Sequence, residues 1–214
     1  HYLPFLVVRR FAGRSLHPLV VRSRFLAVLL ATLVALCACD QRQAGPQNKF
    51  NSIDVTGADY GKEFSLTDHD GKPRTLADFK GKVVLFFFGF TNCPDYCPTA
   101  LASFKKVLQL LGSDAQRVQL VFFTLDPERD KPDVLKQYVT GFDPSFLGLY
   151  TDVQATRTTA QQFRIFFEKQ SVDSATGNYN VDHTVGAYVF DPQGRLRLFI
   201  ASGATPEKIA EDVR

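Results

Sequence analysis

Two long runs of apolar residues dominate the pattern of hydrophobic and polar positions along the chain. Residues 83–90 and 118–125 are almost uninterrupted by polar side chains, which predicts two strands buried on both faces of a sheet. Between them, apolar residues recur at helical spacing, and a glycine follows the last one: Leu101, Phe104, Val107, Leu108, Leu111 and Gly112. The pattern therefore predicts a strand, a helix over residues 98–111 and a second strand in the middle of the chain.

Weaker patterns on either side extend this arrangement. Residues 64–76 alternate around a turn at Asp70-Gly71, which predicts a β-hairpin, and the turn at Pro192-Gln193-Gly194 predicts another between residues 187–191 and 196–200. The remaining predictions are helices over 133–142 and 152–163, a strand over 146–150 and a last helix starting at Thr205-Pro206. This order predicts one α/β domain with a thioredoxin-like fold, an N-terminal β-hairpin extension, an insertion and a central mixed sheet flanked by helices.

The first 39 residues have the pattern of a secretion signal. Arg22 and Arg24 precede an uncharged run of about 15 residues, shorter than the roughly 18 expected of a spanning helix. The run ends at Leu36-Cys37-Ala38-Cys39, which resembles a bacterial lipobox with Cys39 as the lipid-modified residue. We expect residues 1–39 to be a targeting segment, 40–60 a flexible tether and 61–214 the folded domain, which faces the periplasm from the bacterial inner membrane. An uncleaved membrane anchor is the alternative.

Charge and composition narrow the possible functions. The chain is 45% hydrophobic, which is typical of a globular protein. Five of its 25 basic residues lie within residues 1–38, where there is no acid, so 20 basic and 22 acidic residues remain. A domain this close to neutral gives no support for nucleic-acid binding.

Cys93 and Cys97 are the strongest candidates for chemistry. They follow the first buried run and lie four residues apart, close to one helical turn, so both sulfurs can share one face. The start of a helix lowers the pKa of a thiol, and thiolates bind soft metals such as Cu(I). A thioredoxin-type motif has two intervening residues where this chain has three. The spacing alone leaves disulfide exchange, zinc and copper open, and a purely structural disulfide of so small a loop would contribute little.

A third metal ligand would have to come from another part of the chain. Of the four histidines, His1 and His17 lie in the N-terminal segment, and His69 lies in a polar turn where a solvated surface position is expected. His183 follows a polar loop and immediately precedes an apolar strand, so it can face the turn that carries the thiols. An imidazole beside two thiolates suits copper in either oxidation state.

Three stretches in this order resemble the Sco/SenC family of copper-binding proteins that assemble cytochrome c oxidase. They are residues 87–98 around the two cysteines, residues 124–130 and residues 182–184. The resemblance covers residues 64–213 and implies that one copper ion is bound by Cys93, Cys97 and His183. It further implies that Asp126 lies near the metal and modulates the site, and that Cys93 and Cys97 can form a disulfide.

The resemblance also implies partners. These are the dinuclear CuA domain of subunit II of cytochrome c oxidase, a second periplasmic copper carrier and the membrane. Asp95 and Tyr96, between the cysteines, are expected to be exposed and to contact a partner, whereas Asp130 is expected at the surface where a helix begins.

Three functions compete on these residues. The first is a copper chaperone, which is not an enzyme in the turnover sense. The second is a thiol–disulfide oxidoreductase that reduces the CuA-site cysteines or senses redox state, with Cys93 as the attacking thiol. A peroxide-reducing relative is the weakest, because Phe90 stands where such proteins carry a threonine.

Overall fold

The computed structural model describes residues 50–214, which form a mixed sheet with helices on both faces. The strands are β1 Ile53–Asp54, β2 Ser65–Asp68, β3 Pro73–Thr75, β4 Val83–Gly89, β5 Val118–Thr124, β6 Leu147–Tyr150, β7 Phe167–Lys169, β8 Val181–His183, β9 Gly186–Phe190 and β10 Leu196–Ala201. The helices are α1 Tyr96–Leu111, α2 Pro132–Phe142, α3 Val153–Gln162 and α4 Pro206–Asp212, with 3-10 turns at Leu76–Phe79 and Gly112–Arg117. Within residues 50–214, no helix is long and apolar enough to cross a membrane.

Eight strands form the central sheet, in the order β1-β10-β9-β4-β5-β6-β2-β3. Strands β4, β5 and β6 are parallel, and every other neighbouring pair is antiparallel. The prediction of a thioredoxin-like α/β fold with a mixed sheet and an N-terminal hairpin is therefore confirmed. Strands β7 and β8 pair only with each other among the described strands, in a small separate sheet.

Strand β4 is apolar on both sides because both sides of it are covered. Alternate side chains of a strand point to opposite faces, so Leu85 and Phe87 join the core formed with α1, α2 and α4. Phe86 and Phe88 join the second core, which lies on the face covered by α3. In that second core, Phe86 stacks on Phe64 with ring centroids 4.9 Å apart.

The folded part begins earlier than the predicted boundary at residue 61. Strand β1 extends the sheet by pairing with β10. The backbone N–H groups of Asn51 and Ser52 donate to the carboxylate of Asp212 at 2.7 and 2.8 Å. Residues 51–60 thus belong to the domain and not to a tether, because a strand pair and the end of α4 hold them. The predicted targeting segment, including Cys39, and residues 40–49 of the predicted tether lie outside the described residues.

The parallel pair β4–β5 determines where the site lies. Gly89 and Thr124, the last residues of the two strands, are paired neighbours in the register. The carboxyl ends of parallel strands meet at one edge of a sheet, which is where ligands bind in open α/β folds. The turn that leaves β4 carries Cys93, and α1 begins at Tyr96, two residues before the predicted start.

Candidate metal centre

The two cysteines lie side by side where the turn enters α1. Both are free thiols; Cys97 is fully buried and Cys93 is partly exposed. The backbone N–H of Cys97 donates to Sγ of Cys93 at 3.3 Å, and the N–H of Cys93 donates to the carbonyl of Phe90 at 3.3 Å. The turn therefore presents one sulfur towards solvent and keeps the other beneath it, with the first sulfur receiving a hydrogen bond from the start of the helix.

The predicted lowering of the thiol pKa is wrong for Cys97. Burial is the largest influence and raises the pKa of the Cys97 thiol, and the neighbouring Cys93 and Asp130 raise it further. A hydrogen bond from the backbone of Phe90 opposes this only in part. Cys97 is thus a protonated thiol at neutral pH, because desolvation outweighs the position near the helix start. A metal that binds here must displace that proton.

Gly89 gives the buried sulfur its place against the sheet. A Cβ atom at this position would lie 2.8 Å from Sγ of Cys97 and 2.9 Å from the ring of Phe122. Atoms this close overlap, so any side chain at residue 89 would displace the sulfur or the ring. The absence of a side chain therefore allows Cys97 to pack directly on β4.

His183, the last residue of β8, lies next to the residue from which the thiol turn starts. Its ring packs edge-on against Phe90, with centroids 6.0 Å apart. Nδ1 lies 2.8 Å from the carbonyl oxygen of Thr184, and since a carbonyl only accepts, Nδ1 carries the proton. Burial lowers the pKa of His183, which keeps the imidazole neutral. Its Nε2 lone pair is then available to a metal, in the arrangement typical of metal-ligating histidines.

The two thiols lie together and the imidazole packs against the neighbouring Phe90, but the three donors do not yet form a complete metal site. Within residues 50–214, no three His, Cys, Asp or Glu side chains lie close enough to hold a metal ion. The donor types still fit copper, because two sulfurs and a neutral imidazole suit both of its oxidation states. The β8 end and the thiol turn must approach each other for the three to bind one ion.

Asp126 is buried but its carboxylate is already bound to other residues. Oδ1 accepts a hydrogen bond from the hydroxyl of Tyr179 at 2.8 Å, and Oδ2 accepts from Nε of Arg129. Its side chain is 3% exposed, so solvent does not compete for these bonds. Any influence of Asp126 on the thiols would have to pass through the residues it contacts.

The prediction that Asp130 lies at the surface is wrong, because the residue is 1% exposed. Its carboxylate accepts from the backbone N–H and the hydroxyl of Thr91 at 2.9 and 2.6 Å and from the hydroxyl of Thr124 at 2.6 Å. Burial raises the pKa of Asp130, although these donors oppose it. The carboxylate ties the start of the thiol turn to the end of β5, a role that its sequence position beside Lys131 and Pro132 did not indicate.

The surface position expected for His69 is also wrong, since the residue is only 8% exposed. Its Nδ1 accepts a hydrogen bond from the backbone N–H of Gly148 at 3.1 Å, which joins the β2 end to β6. Burial lowers the pKa of His69. Between the cysteines, Asp95 is exposed as expected, whereas Tyr96 is only partly exposed.

The fold and the site together define a thioredoxin-like protein with paired thiols at a strand-to-helix turn and a neutral imidazole beside them. A family model described as SCO1/SenC matches residues 54–214. The chain therefore belongs to the SCO1/SenC family.

Relatives and solved structures agree with this assignment. The chain is 37% identical over 154 residues to the mouse mitochondrial protein SCO2 homolog, an alignment that covers 71% of this chain and 60% of that protein. It is similar to the copper-bound structure of ScoI from Bradyrhizobium japonicum, with 40% identity and a TM-score of 0.65, covering 72% of this chain and 97% of the other.

A third relative bears on redox chemistry. The structure of BsSco is described as a member of the Sco family of cytochrome c oxidase assembly proteins with a disulfide switch. It is 26% identical to this chain, with a TM-score of 0.58, and the match covers 76% of this chain and 95% of BsSco.

Proposed function

We propose that this protein is a copper chaperone that binds one copper ion through Cys93, Cys97 and His183 and assists assembly of the CuA centre in subunit II of cytochrome c oxidase. The observation that carries the proposal is the pair of free thiols at the carboxyl end of β4, with the unprotonated nitrogen of a neutral imidazole beside it. The copper-bound relative from Bradyrhizobium japonicum supports the choice of metal.

The unequal exposure of the two sulfurs suits a protein that passes its metal on. Cys97 is buried and protonated, so copper binding releases a proton and places the ion against the protein interior. Cys93 is partly exposed, so a thiolate of a partner can reach the ion from the Cys93 side. Stepwise exchange of thiolates then moves copper to a partner that offers more ligands.

A thiol–disulfide oxidoreductase is the second candidate, and the exposure of Cys93 favours it. Cys93 is partly exposed whereas Cys97 is buried, and the N–H of Cys97 donates to Sγ of Cys93, which holds the accessible sulfur of Cys93 in place as the attacking group. Attack on a partner disulfide followed by attack of Cys97 would leave a Cys93–Cys97 disulfide and two partner thiols. The disulfide switch described for BsSco supports this chemistry on the same fold. Such a disulfide cannot bind copper, so the two roles alternate.

The site assignment is tested by the copper stoichiometry of purified variants, measured by native mass spectrometry after removal of excess metal. Wild type should retain one copper, and Cys97→Ser should retain none. His183→Ala should bind more weakly by at least about tenfold, since removing even a supporting residue of a metal site costs about 10- to 100-fold. His69→Asn is the matched control, because it changes a histidine far from the thiol turn and should retain one copper. Equal retention by His183→Ala and wild type would remove His183 from the site.

Incubation with one partner domain distinguishes the two proposed functions. Copper-loaded protein and, separately, reduced metal-free protein are incubated with an isolated CuA domain whose cysteines are oxidised or reduced. A chaperone transfers copper to the reduced domain, whereas a reductase opens the oxidised domain's disulfide. Failure of copper transfer together with rapid disulfide reduction would favour the second candidate.

We also propose that the domain is tethered to the bacterial inner membrane and faces the periplasm, with Cys39 as the lipid-modified residue. The lipobox-like sequence 36–39 after an uncharged run supports this. Cys39→Ser should move the protein from the membrane fraction to the soluble periplasmic fraction. Continued membrane association of Cys39→Ser would indicate an uncleaved anchor.

A further inference from the structure

The hairpin that carries His183 has little internal support. Strands β7 and β8 are three residues long each and pair only with each other among the described strands. An isolated two-stranded hairpin is marginally stable at best. The contacts that join this hairpin to the rest of the domain therefore decide where His183 lies.

Tyr179, just before β8, makes two hydrogen-bonded contacts to the turn between β5 and α2. Its hydroxyl donates to Oδ1 of Asp126 at 2.8 Å. Its backbone carbonyl accepts a hydrogen bond from a guanidinium nitrogen of Arg129 at 2.9 Å. The carboxylate of Asp126 also forms an ion pair with Arg129. This ion pair orients the two residues that bind Tyr179.

The ring of Tyr179 binds two cations as well. The guanidinium carbon of Arg129 lies 3.5 Å from the ring centroid, and Nζ of Lys169 lies 3.9 Å from it. Lys169 is paired across the hairpin with Val181 and forms an ion pair with Glu128 at 3.0 Å. The negative face of an aromatic ring attracts cations, so the ring of Tyr179 is an attachment point between the hairpin and the β5–α2 turn. We call Asp126, Arg129, Lys169 and Tyr179 the tyrosine latch.

We propose that Tyr179 is a positioning residue for His183, which it holds beside the thiol turn by latching the β7–β8 hairpin to the β5–α2 turn. His183 lies four positions after Tyr179, and β8 occupies the last three of these positions, including His183 itself. In this arrangement Asp126 acts on the site through Tyr179 and Arg129 and not by touching the metal. The inference rests on the proposed function, because it assumes that His183 is a copper ligand.

Arg129 connects the latch to the other side of the site. Its guanidinium carbon lies 6.0 Å from the ring of Phe90, the same ring against which His183 packs. Phe90 also accepts the hydrogen bond from the N–H of Cys93. Arg129 and the imidazole thus lie near the ring of Phe90, and the thiol turn is bound to the backbone carbonyl of the same residue. A displaced latch therefore also changes the surroundings of His183 through Phe90.

The metal-free protein gives the first test. Tyr179→Phe keeps the ring and its cation contacts but removes the hydroxyl, and Tyr179→Leu removes both. Amide hydrogen exchange of residues 167–183 should be faster in Tyr179→Phe than in wild type and fastest in Tyr179→Leu. Tyr188→Phe is the matched control, because its hydroxyl donates to the carbonyl of Phe163 at 2.6 Å in the core. The control should lower thermal stability while leaving exchange in the hairpin unchanged. Unchanged exchange in Tyr179→Leu would overturn the latch.

The copper-bound protein gives the second test, through a double-mutant cycle on Cu(I) affinity. Tyr179→Phe should weaken binding by about three- to tenfold, which corresponds to the loss of one hydrogen bond. In a His183→Ala background the same change should have no further effect, because the residue it positions is gone. An equal loss in both backgrounds, or no loss in either, would contradict the positioning role. If wild type binds no copper, the proposed function fails, and the exchange experiment still decides whether the latch holds the hairpin.

Discussion

The thiol turn and the β7–β8 hairpin contribute to one site but are built in different ways. The turn leaves a strand that is buried on both faces, and Cys97 itself belongs to a core cluster with residues of α1, α2 and α4. The hairpin pairs with no described strand of the central sheet, and Phe166 just before it is 63% exposed, although Val181 of β8 is buried in the second core. The sulfurs are therefore positioned by the fold as a whole, whereas the imidazole is positioned by Val181 and a few further side-chain contacts. A site divided in this way can hold its thiols fixed while its third ligand moves.

The largest difference between the two regions should appear in stability. Phe86 is fully buried and packs against Phe64 and Phe163, with centroids 4.9 and 5.0 Å away. Phe86→Ala should lower the free energy of unfolding by about 3–5 kcal/mol. Phe166→Ala on the hairpin should change it by no more than about 0.5 kcal/mol. Urea unfolding of the three proteins decides, and similar losses for both variants would mean that the side chain of Phe166 is packed as firmly as that of Phe86.

Substitution of Gly89 tests how tightly the thiol turn packs on the sheet. Gly89→Ala should lower the free energy of unfolding by about 1–3 kcal/mol, since its methyl group would overlap Sγ of Cys97 and the ring of Phe122. Gly141, near the end of α2, has nothing within 4 Å of an added Cβ atom. Gly141→Ala should therefore raise stability by about 0.5–1 kcal/mol, through helix propensity. Chemical denaturation measures both, and a Gly89→Ala variant as stable as wild type would contradict the close packing of Cys97 on β4.

Acidification should lower global stability through His69 and open the β7–β8 hairpin locally through His183. Burial lowers the pKa of both His69 and His183 below the ordinary value of 6.5. The unfolded or detached state then takes up the proton first, so stability is present above the unfolded pKa and falls as the pH drops below about 6.5. His69 joins β2 to β6, so its titration should lower global stability. His183 lies on a separate hairpin, so its titration should open that hairpin locally.

Unfolding and exchange between pH 7.5 and 5.5 separate these effects. His69→Asn keeps an acceptor for the N–H of Gly148 but does not titrate, so it should flatten the pH dependence of urea unfolding. Amide exchange of residues 167–183 should still accelerate on acidification in that variant. An unaltered unfolding profile in His69→Asn would show that the buried imidazole is not linked to global stability.

The apolar pattern of the sequence predicted strands β4 and β5, which lead into the thiol turn and its surroundings. Strands β4 and β5 fall within the predicted runs because a strand covered on both faces must be apolar throughout. The hairpin was not predicted, because its strands are too short to show a period of two, and part of each is exposed. The same limit applies to the tyrosine latch, whose Arg129 and Tyr179 lie 50 residues apart in the chain.

Asp130 was missed for a related reason. A charged residue next to Lys131 and Pro132 is typical of an exposed helix start, and the helix does begin at Pro132. Its partners Thr91 and Thr124 become neighbours only through the parallel register of β4 and β5. Two hydroxyl residues, one just past the end of β4 and one at the end of β5, are the sequence signal that could have indicated a buried acceptor nearby.

The direct test of the divided site is X-ray absorption at the copper edge of the Cu(I)-loaded protein, compared with His183→Ala. Two sulfur neighbours and one nitrogen neighbour are expected in wild type, with the nitrogen lost and both sulfurs kept in the variant. A wild-type spectrum with sulfur neighbours alone, or one that His183→Ala leaves unchanged, would contradict the divided site.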